Sequence, residues 1–343
     1  MSSAVPSSLF VASPPGLTTG FASAGELAGG ALLGAIVPEA LPPALDGVPS
    51  LVIGAPVLAG GEWGPEVVRA HGPVRSGVAE GISYRADGRL LFGVLMLEER
   101  AQGRDDGATP LQAAAEAAYG RIFRLMEALA YPHLWRAWNY MADINGESFG
   151  LERYRQFNVG RYDAFVAAGR LQRASVPAAC ALGVAEGPLR IAFLASRLPA
   201  LPVENPRQMS AYEYPPDYGP RSPTFARAAL AELGGEELLF VSGTASIVGH
   251  LTRHRGDVAG QARETLENID ALLAEVGRLS RPWAQEALAY RIYVRDAASL
   301  QAVRVVAEGR LGAQVPMTYV QADICRADLL LEIEACGARP CDA

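Results

Sequence analysis

The sequence predicts an α+β protein made of two tandem units, each a mixed sheet with helices packed on one face. Apolar, strand-like runs alternate with helix-like segments in the same order in both halves of the 343-residue chain. Tyr-Met-Ala-Asp at residues 140–143 matches Tyr-Val-Arg-Asp at residues 293–296, each where a strand ends and a helix begins. Ile-Ala-Phe-Leu-Ala at residues 191–195 matches Leu-Glu-Ile-Glu-Ala at residues 331–335. These matches indicate a degenerate duplication of one α+β unit.

The first unit is predicted to span residues 51–200, after a loosely structured arm at residues 1–50 that is rich in Ser, Pro, Gly and Ala. Thr109 is expected to cap a helix that has Pro110 at its first position. The predicted elements are a strand at 50–56, a strand at 89–97, a helix at 111–130, a strand at 134–144, a helix at 150–169 and a strand at 189–196.

The second unit is predicted to span residues 229–343. A connecting segment, residues 201–228, is rich in proline and tyrosine, and it is read either as an active-site loop or as a proline-stiffened linker. The predicted elements of the second unit are a strand at 237–242, a helix at 258–277, a strand at 287–295, a helix at 299–311 and a strand at 329–335.

All 30 basic residues are arginine, against 37 acidic residues and a net charge of −7. Without lysine the chain has no Walker-A phosphate loop and forms no Schiff base. Every fixed cation is a guanidinium, which suits bidentate binding of carboxylates. The acidic balance without a basic cluster argues against a nucleic-acid partner. The cysteines form no CxxC pair and the histidines no HExxH motif, so we expect no zinc site.

The N-terminal residues give no sign of membrane targeting. The first cation is Arg69, whereas a secretory signal begins with a basic region. The apolar run at residues 27–37 is interrupted by glycines and is too short to cross a bilayer. We therefore expect a cytoplasmic protein without membrane contact.

The closing strand carries the clearest candidate for chemistry. Alternation places Glu332 and Glu334 on one face of an otherwise apolar strand. Burial there would raise the pKa of a carboxyl group and make it a general acid, whereas the alternative is a solvated strand face. The matching position in the first unit is Ala192, so only the second unit would carry the acid.

Three further groups of residues are candidates for binding. Residues 153–162 place arginines and tyrosines on one helix and could bind a carboxylate, although this segment taken alone favours a solvated amphipathic helix. Residues 204–227 hold Tyr214 and Tyr218 among several arginines and suit a ring-shaped anion. Small residues at 242–246 allow a ligand close to the backbone. Cys325 is close in sequence to Glu332, but a structural cysteine is the ordinary alternative.

The second half resembles the RidA/YjgF family of trimeric enamine and imine deaminases in the order of its strands, helix and closing Glu-Ile-Glu-Ala. That family carries Pro-x-Arg before its last strands, where the arginine holds the substrate carboxylate. Here the stretch reads Pro-Met-Thr at residues 316–318, so Thr318 replaces the arginine and argues against deaminase activity.

Residues 50–337 as a whole resemble the chorismatases, which join a degenerate and an intact RidA-like unit. The resemblance rests on residues 139–145, 153–165, 204–208, 212–226, 242–250 and 325–335. It implies chemistry on chorismate, whose enolpyruvyl group leaves as pyruvate without metal or cofactor. It also implies that Glu332 protonates the enol-ether methylene.

The resemblance suggests roles for other residues too. Arg153, Arg161 and Arg221 are the candidates for holding the two carboxylates of chorismate. Tyr154 and Tyr212 are expected to frame its ring, and Gly243 to border the substrate.

Two positions bear on the product. Cys325 matches family members that form 3-hydroxybenzoate, whereas Ala245 matches members that hydrolyse chorismate to a dihydroxycyclohexadiene carboxylate or give mixed products. We expect 3-hydroxybenzoate, with 4-hydroxybenzoate as a second isomer in some members of this type. A chorismate hydrolase, a RidA-like deaminase and a non-catalytic ligand-binding protein are the alternatives. A monomer and a homotrimer both stay open.

Overall fold

The structure of the protein is a computed structural model that describes residues 18–27, 31–100, 107–172 and 175–341. Up to residue 100 the elements are β1 (Thr19–Phe21), α1 (Ala24–Leu27), β2 (Leu32–Val37), β3 (Ser50–Val52), β4 (Val57–Ala59), β5 (Glu66–Arg69), β6 (Arg75–Ala79), β7 (Ile82–Ala86) and β8 (Leu90–Leu97). Residues 107–200 form α2 (Pro110–Ala128), β9 (His133–Ala142), β10 (Glu147–Ser148), β11 (Leu151–Glu152), α3 (Arg153–Ala167), β12 (Ala178–Val184) and β13 (Leu189–Ser196). Residues 201–341 form β14 (Leu201–Val203), β15 (Ala228–Leu233), β16 (Glu236–Thr244), β17 (Ile247–Val248), β18 (Leu251–Thr252), α4 (Val258–Leu279), β19 (Ala289–Val294), α5 (Leu300–Leu311), β20 (Met317–Gln321) and β21 (Leu331–Pro340).

Two large sheets repeat one topology, as the sequence predicts. The first has the order β12-β9-β13-β8-β7-β6, and the second contains β20-β19-β21-β16-β15-β14. In both sheets the pair at one edge is parallel, β9 with β12 and β19 with β20. The other neighbours in these six-strand arrangements are antiparallel. The duplication is therefore confirmed strand by strand.

Helices cover one face of each sheet and the other faces meet in a shared core. Helices α2 and α3 pack on the first sheet through residues such as Phe123 and Phe157, and α4 and α5 pack on the second through Leu266 and Val303. The opposite faces join in one apolar core that includes Trp138. Among the described residues, no helix is long and apolar enough to cross a membrane.

The predicted N-terminal arm is wrong for the described residues between 18 and 50. Strands β1, β2, β3 and β5 form a third sheet, whose Ile36 and Leu51 are buried in the shared core. Strand β1 has only three residues, too few for a measurable alternation of apolar and polar side chains, and glycines surround these strands. The sequence pattern therefore does not reveal the third sheet. Residues 1–17 lie outside the described residues.

The boundary between the units also differs from the prediction. Strand β14 pairs with β15, so the second sheet begins at Leu201 inside the segment predicted as a loop. Strand β4, from the segment assigned to the first unit, pairs with β20 at the far edge of the second sheet. The two units are therefore interlocked through their sheets.

The strand register corrects one match between the units. Tyr140 pairs with Arg190 in the first sheet, and Tyr293 pairs with Glu332 in the second. The two tyrosines are equivalent by topology, and their hydroxyl oxygens lie 2.6 Å apart. The structural counterpart of Glu332 is therefore Arg190, two residues before the predicted Ala192. The conclusion that only the second unit carries the carboxylate is unchanged.

Candidate active site

A cavity of about 290 Å³ opens beside the first half of β21, between the start of α3 and the proline-rich segment. It is lined by Glu152, Tyr154, Arg155, Tyr214, Tyr218, Pro223, Phe225, Arg227, Gly243, Ala245, Ile247, Cys325, Arg326, Ala327, Asp328 and Glu332. Apolar, aromatic and guanidinium groups thus surround one carboxyl group on the closing strand. Such a volume suits a small organic molecule.

Glu332 is the buried acid of this cavity, with 4% of its surface exposed. It lies on the face of β21 that points into the shared core, opposite Ile333 on the helix-covered face. Burial raises its pKa to about 8, and the neighbouring Glu334 carboxylate adds to the rise, whereas Arg136 and Arg227 oppose it. Glu332 is therefore predominantly a neutral carboxylic acid at pH 7, able to donate a proton.

Gly243 on β16 provides the space that the acid occupies. A β-carbon at this position would lie 1.9 Å from Glu332 Oε1 and 3.3 Å from Cys180 Cβ. Only glycine lets the carboxyl group lie against this strand. The preceding Ser242 fixes the strand, because its hydroxyl donates to Ala226 O at 2.6 Å and accepts from Ala179 N at 2.9 Å.

Three arginines line the cavity, and two of them hold unused donors. Arg227 is 3% exposed and donates through Nη2 to Met209 O and to the Tyr214 hydroxyl. Arg326 lies over the Tyr218 ring, 4.2 Å from its centroid. Arg227 Nε and Arg326 Nη2 are buried and make no hydrogen bond to a described residue. With Arg155, they form a cationic wall suited to an organic anion.

Cys325 and Ala245 face the same cavity, although they are distant in sequence. Burial raises the pKa of the Cys325 thiol to about 12, with Glu332 adding to the rise. Cys325 is therefore a neutral thiol at physiological pH and not a thiolate nucleophile. Burial likewise raises the pKa of Tyr154, which remains a phenol.

The first unit holds the loop that carries Cys325. Gly183 and Asp323 exchange two backbone hydrogen bonds, of 2.7 and 3.1 Å. Asn145 Nδ2 donates to Ile324 O at 3.0 Å. The cavity therefore uses side chains of the second unit in positions that the first unit supports.

Two predicted arginines are engaged elsewhere. Arg153 pairs with Glu99 at 2.5 Å and donates to Ala142 O, because it begins α3 and turns back toward the first sheet. Arg161 lies two helical turns later and is buried against the rings of Tyr119 and Phe165. Neither lines the cavity, so the cavity does not support their expected contact with the substrate.

Arg221 and Tyr212 were also expected to contact the substrate. Both belong to the proline-rich segment, and neither lines the cavity. Arg221 is half exposed, stacks on Tyr162 and lies 3.7 Å from Asp163. Tyr212 lies in a short 3-10 turn and does not line the cavity, whereas Tyr214 and Tyr218 do. A proline-rich segment has no regular period, so the sequence gives no means of telling which of its side chains face inward.

Arg155, Arg227 and Arg326 are the cavity arginines that the sequence did not single out, although the first two lie in segments predicted to bind a ligand. Arg155 follows the predicted Tyr154, and Arg326 follows Cys325, so proximity to a predicted residue was the available signal. Arg227 ends the segment predicted to bind a ring-shaped anion. Among the described residues, no group of three or more His, Cys, Asp or Glu side chains is arranged to hold a metal ion.

The fold and cavity define a duplicated α+β protein in which one unit carries a buried acid and the other supports it. A family model described as "Chorismatase FkbO/Hyg5-like, N-terminal" matches residues 66–195. A chorismatase of Streptomyces hygroscopicus is 39% identical over 300 residues, 83% of this chain and 84% of that protein. A 3-hydroxybenzoate synthase of the same organism is 37% identical over 271 residues, 75% and 76% of the two chains.

A solved chorismatase structure is similar over nearly the whole chain. It is 33% identical, with a TM-score of 0.81, and the match covers 93% of this chain and 97% of that one. The chain belongs to the chorismatase family. The predicted fold of two tandem α+β units, each a mixed sheet with helices on one face, is confirmed, and the protein is an enzyme.

Proposed function

We propose that this enzyme converts chorismate into pyruvate and 3-hydroxybenzoate, with Glu332 as the general acid. The observation that carries the proposal is the buried Glu332 carboxyl group at the wall of a cavity rich in arginine and tyrosine. Relatives named chorismatase and 3-hydroxybenzoate synthase, each more than a third identical, support the substrate and the product.

The chemistry needs one proton donor and an internal nucleophile. Glu332 gives its proton to the methylene carbon of the enol ether, and the adjoining carbon becomes an oxocarbenium ion. The oxygen of the neighbouring ring hydroxyl attacks the ring carbon that bears the ether as its bond to the side chain breaks, so the side chain leaves as pyruvate, the hydroxyl proton is released and the oxygen bridges two ring carbons. The bond from this oxygen to its original carbon then opens and a ring proton is lost to solvent, which gives the aromatic ring. The phenol oxygen and Glu332 each take up a proton from solvent. Chorismate thus divides into the two products with no other reactant, and the reaction as proposed uses no metal or cofactor.

Three arginines are proposed to hold the two carboxylates of chorismate. Arg227 and Arg326 have buried donors without a partner in the part of the chain that the structure describes, and Arg155 lies beside Glu152. They replace Arg153, Arg161 and Arg221 in this role. Tyr154, Tyr214 and Tyr218 are proposed to frame the ring, and Gly243 to keep the backbone close to it. A neutral Glu332 favours binding of a dianion, since it adds no negative charge.

Cys325 and Ala245 are proposed to set the product. Their shared position on the cavity wall supports the idea that both act on the ring of one bound substrate. Cys325 favours 3-hydroxybenzoate by its resemblance to aromatising family members. Ala245 favours a second product, either 4-hydroxybenzoate or the diol that forms when water attacks.

A RidA-like deaminase is disfavoured by Thr318. This residue is buried and donates to Gly60 O, and it does not line the cavity. Its hydroxyl cannot replace a guanidinium as the partner of a carboxylate. The cytoplasmic location and the choice between monomer and homotrimer remain predictions from the sequence.

The proposal is tested by incubating the purified protein with chorismate and following pyruvate with a coupled assay. The wild-type protein is expected to release one pyruvate per chorismate consumed. Glu332→Gln keeps the shape of the acid but has no proton to give, so its release is expected to fall to the uncatalysed rate. Absence of pyruvate from the wild-type reaction would overturn the proposal.

A further inference from the structure

Behind the cavity lies a buried chain of four charged side chains that joins all three large sheets. Arg136 on β9 pairs with Glu334 on β21, Glu334 pairs with Arg291 on β19 at 2.8 Å, and Arg291 pairs with Glu66 on β5 at 3.0 Å. All four are at least 95% buried. Buried charges of this kind are costly unless they are paired, so the arrangement requires an explanation.

Glu334 is the member of this chain closest in sequence to the acid. It follows Glu332 by two residues on one strand, so both side chains point to the same face of the sheet. Glu334 Oε1 also accepts a hydrogen bond of 2.7 Å from the Tyr293 hydroxyl. Tyr293 is in turn the residue that pairs with Glu332 across the sheet.

The two carboxyl groups have opposite protonation states for physical reasons. Burial alone would raise the pKa of Glu334, but Arg136, Arg291 and the Tyr293 hydroxyl together hold that pKa below its usual value. Glu332 makes no ion pair of this kind. Two neighbouring carboxyls do not both ionise readily in a buried site, so the one that is paired takes the charge.

We propose that Glu334 is a positioning residue that keeps Glu332 in its acid form, with its own negative charge held in place by Arg136 and Arg291. Arg136 belongs to the first unit, which carries no acid of its own. It also donates to Val241 O at 2.8 Å, two residues before Gly243, and so supports the strand against which Glu332 lies. The inference rests on the proposed role of Glu332 as the proton donor.

The other groups that face Glu332 do not supply this effect. Arg136 and Arg227 both act to ionise Glu332, in opposition to Glu334. Burial raises the pKa values of Cys180, Tyr293, Cys325 and Tyr154, so these groups are neutral at pH 7. Gly243 on β16 brings no charge. Glu152 and Asp328 also line the cavity, but among the described residues Glu334 is the carboxylate whose charge adds to the rise in the pKa of Glu332.

The test is the pH dependence of kcat/KM for chorismate in Glu334→Gln. An uncharged amide at this position leaves the charges of Arg136 and Arg291 in excess, so Glu332 should ionise more readily. We expect the alkaline limb of the profile to move to lower pH by about one unit or more. Glu232→Gln, which changes an exposed carboxylate on β15, is the matched control and should leave the limb in place.

A compensating pair of substitutions separates electrostatics from packing. Arg136→Met combined with Glu334→Gln removes one charge of each sign, and the limb should move back toward the wild-type position. A purely structural role for Glu334 predicts a lower kcat without movement of the limb in either variant. An unmoved limb in folded Glu334→Gln overturns the inference. If Glu334→Gln does not fold, Arg136→Met decides: it removes a cation that favours ionisation of Glu332, so the limb should move to higher pH, and an unmoved limb overturns the inference.

A second measurement keeps this inference separate from the proposed function. The infrared carboxylic acid band lost in Glu332→Gln reports the protonation of Glu332 without turnover. This band should disappear at a lower pH in Glu334→Gln than in the wild-type protein. If the band shifts while no pyruvate forms in any variant, the proposed function is wrong and the electrostatic inference stands. If pyruvate forms and the band does not shift, the inference is wrong and the function stands.

Discussion

Gly243 and Glu332 meet across two neighbouring strands, at a distance that excludes any side chain on Gly243. The position that a β-carbon would take is 1.9 Å from the carboxyl oxygen of Glu332. The β-carbon of Cys180 lies 3.3 Å from the same point, so a side chain at residue 243 could not move toward Cys180 either. The Glu332 carboxyl group therefore occupies the space that a side chain at residue 243 would fill.

Gly243→Ala should therefore displace the acid without unfolding the protein. A misplacement of about 1 Å at a reacting group can cost about 100-fold in rate, so we expect kcat to fall by about that factor. The measurement is the initial rate of pyruvate release at saturating chorismate. Gly309→Ala on α5, where a methyl group meets open space, is the matched control. Activity of Gly243→Ala within about threefold of wild type would contradict this view of the site.

The protonation of Glu332 should set the alkaline limit of activity. Its pKa is raised to about 8, so the acid form predominates below that pH and is lost above it. We expect kcat/KM to be level between about pH 6 and 7 and to fall tenfold per pH unit well above 8. A profile that rises through this range would mean that the ionised carboxylate is the active form.

The same pKa predicts how the stability of the protein depends on pH. The folded pKa of Glu332 lies above the ordinary carboxyl value of 4.5, so folded protein retains a proton that the unfolded chain has lost. The contribution of Glu332 to the free energy of unfolding is greatest below pH 4.5 and declines as the pH rises toward 8. The glutamine in Glu332→Gln does not titrate. The free energy of unfolding of this variant minus that of the wild type should therefore rise by a few kcal/mol as the pH goes from about 4.5 to about 8. Urea denaturation at pH 5 and pH 8 measures the difference, and equal differences at the two pH values would contradict a buried neutral acid.

Removal of a cavity arginine should weaken substrate binding more than removal of an exposed one. Arg326→Ala leaves one guanidinium fewer for the carboxylates of chorismate, and we expect KM to rise by about 10- to 100-fold. Arg124→Ala, an exposed arginine paired with Glu80, is the matched control. Similar KM values for Arg326→Ala and wild type would exclude Arg326 from substrate binding.

The products of two cavity variants should diverge. Ala245→Gly is expected to shift the mixture toward 3-hydroxybenzoate, and Cys325→Ala toward the diol or 4-hydroxybenzoate. The ratios are measured by chromatography with NMR identification after complete conversion of chorismate. Identical mixtures from wild type and both variants would show that the two side chains do not direct the product.

The sequence predicts the helices and the long strands because their apolar patterns are regular. The helix predicted over residues 111–130 is α2, with Thr109 as its cap accepting a hydrogen bond from Gln112 N. Of the short strands β1 to β5, only β3 falls within a predicted strand, and the others escape prediction because their place is set by pairing with distant strands. One example is β4, which pairs with β20 more than 250 residues away along the chain.

The site was predictable where it lies on a strand and less so where it lies on a loop. Alternation alone places Glu332 on the face opposite Ile333, and the structure puts it there. Arg153, Arg161 and Arg221, which were chosen among thirty arginines, do not line the cavity. Whether an arginine faces a cavity or an ion-pair partner such as Glu99 depends on tertiary contacts that no local pattern contains.

The central claim is that Glu332 delivers a proton from solvent to the methylene carbon of chorismate. The most direct measurement is NMR of the products formed by the wild-type enzyme in D₂O. The account predicts pyruvate with one deuterium in its methyl group, together with an equal amount of hydroxybenzoate that is predominantly the 3-isomer. Pyruvate with an unlabelled methyl group, or no pyruvate at all, would contradict it.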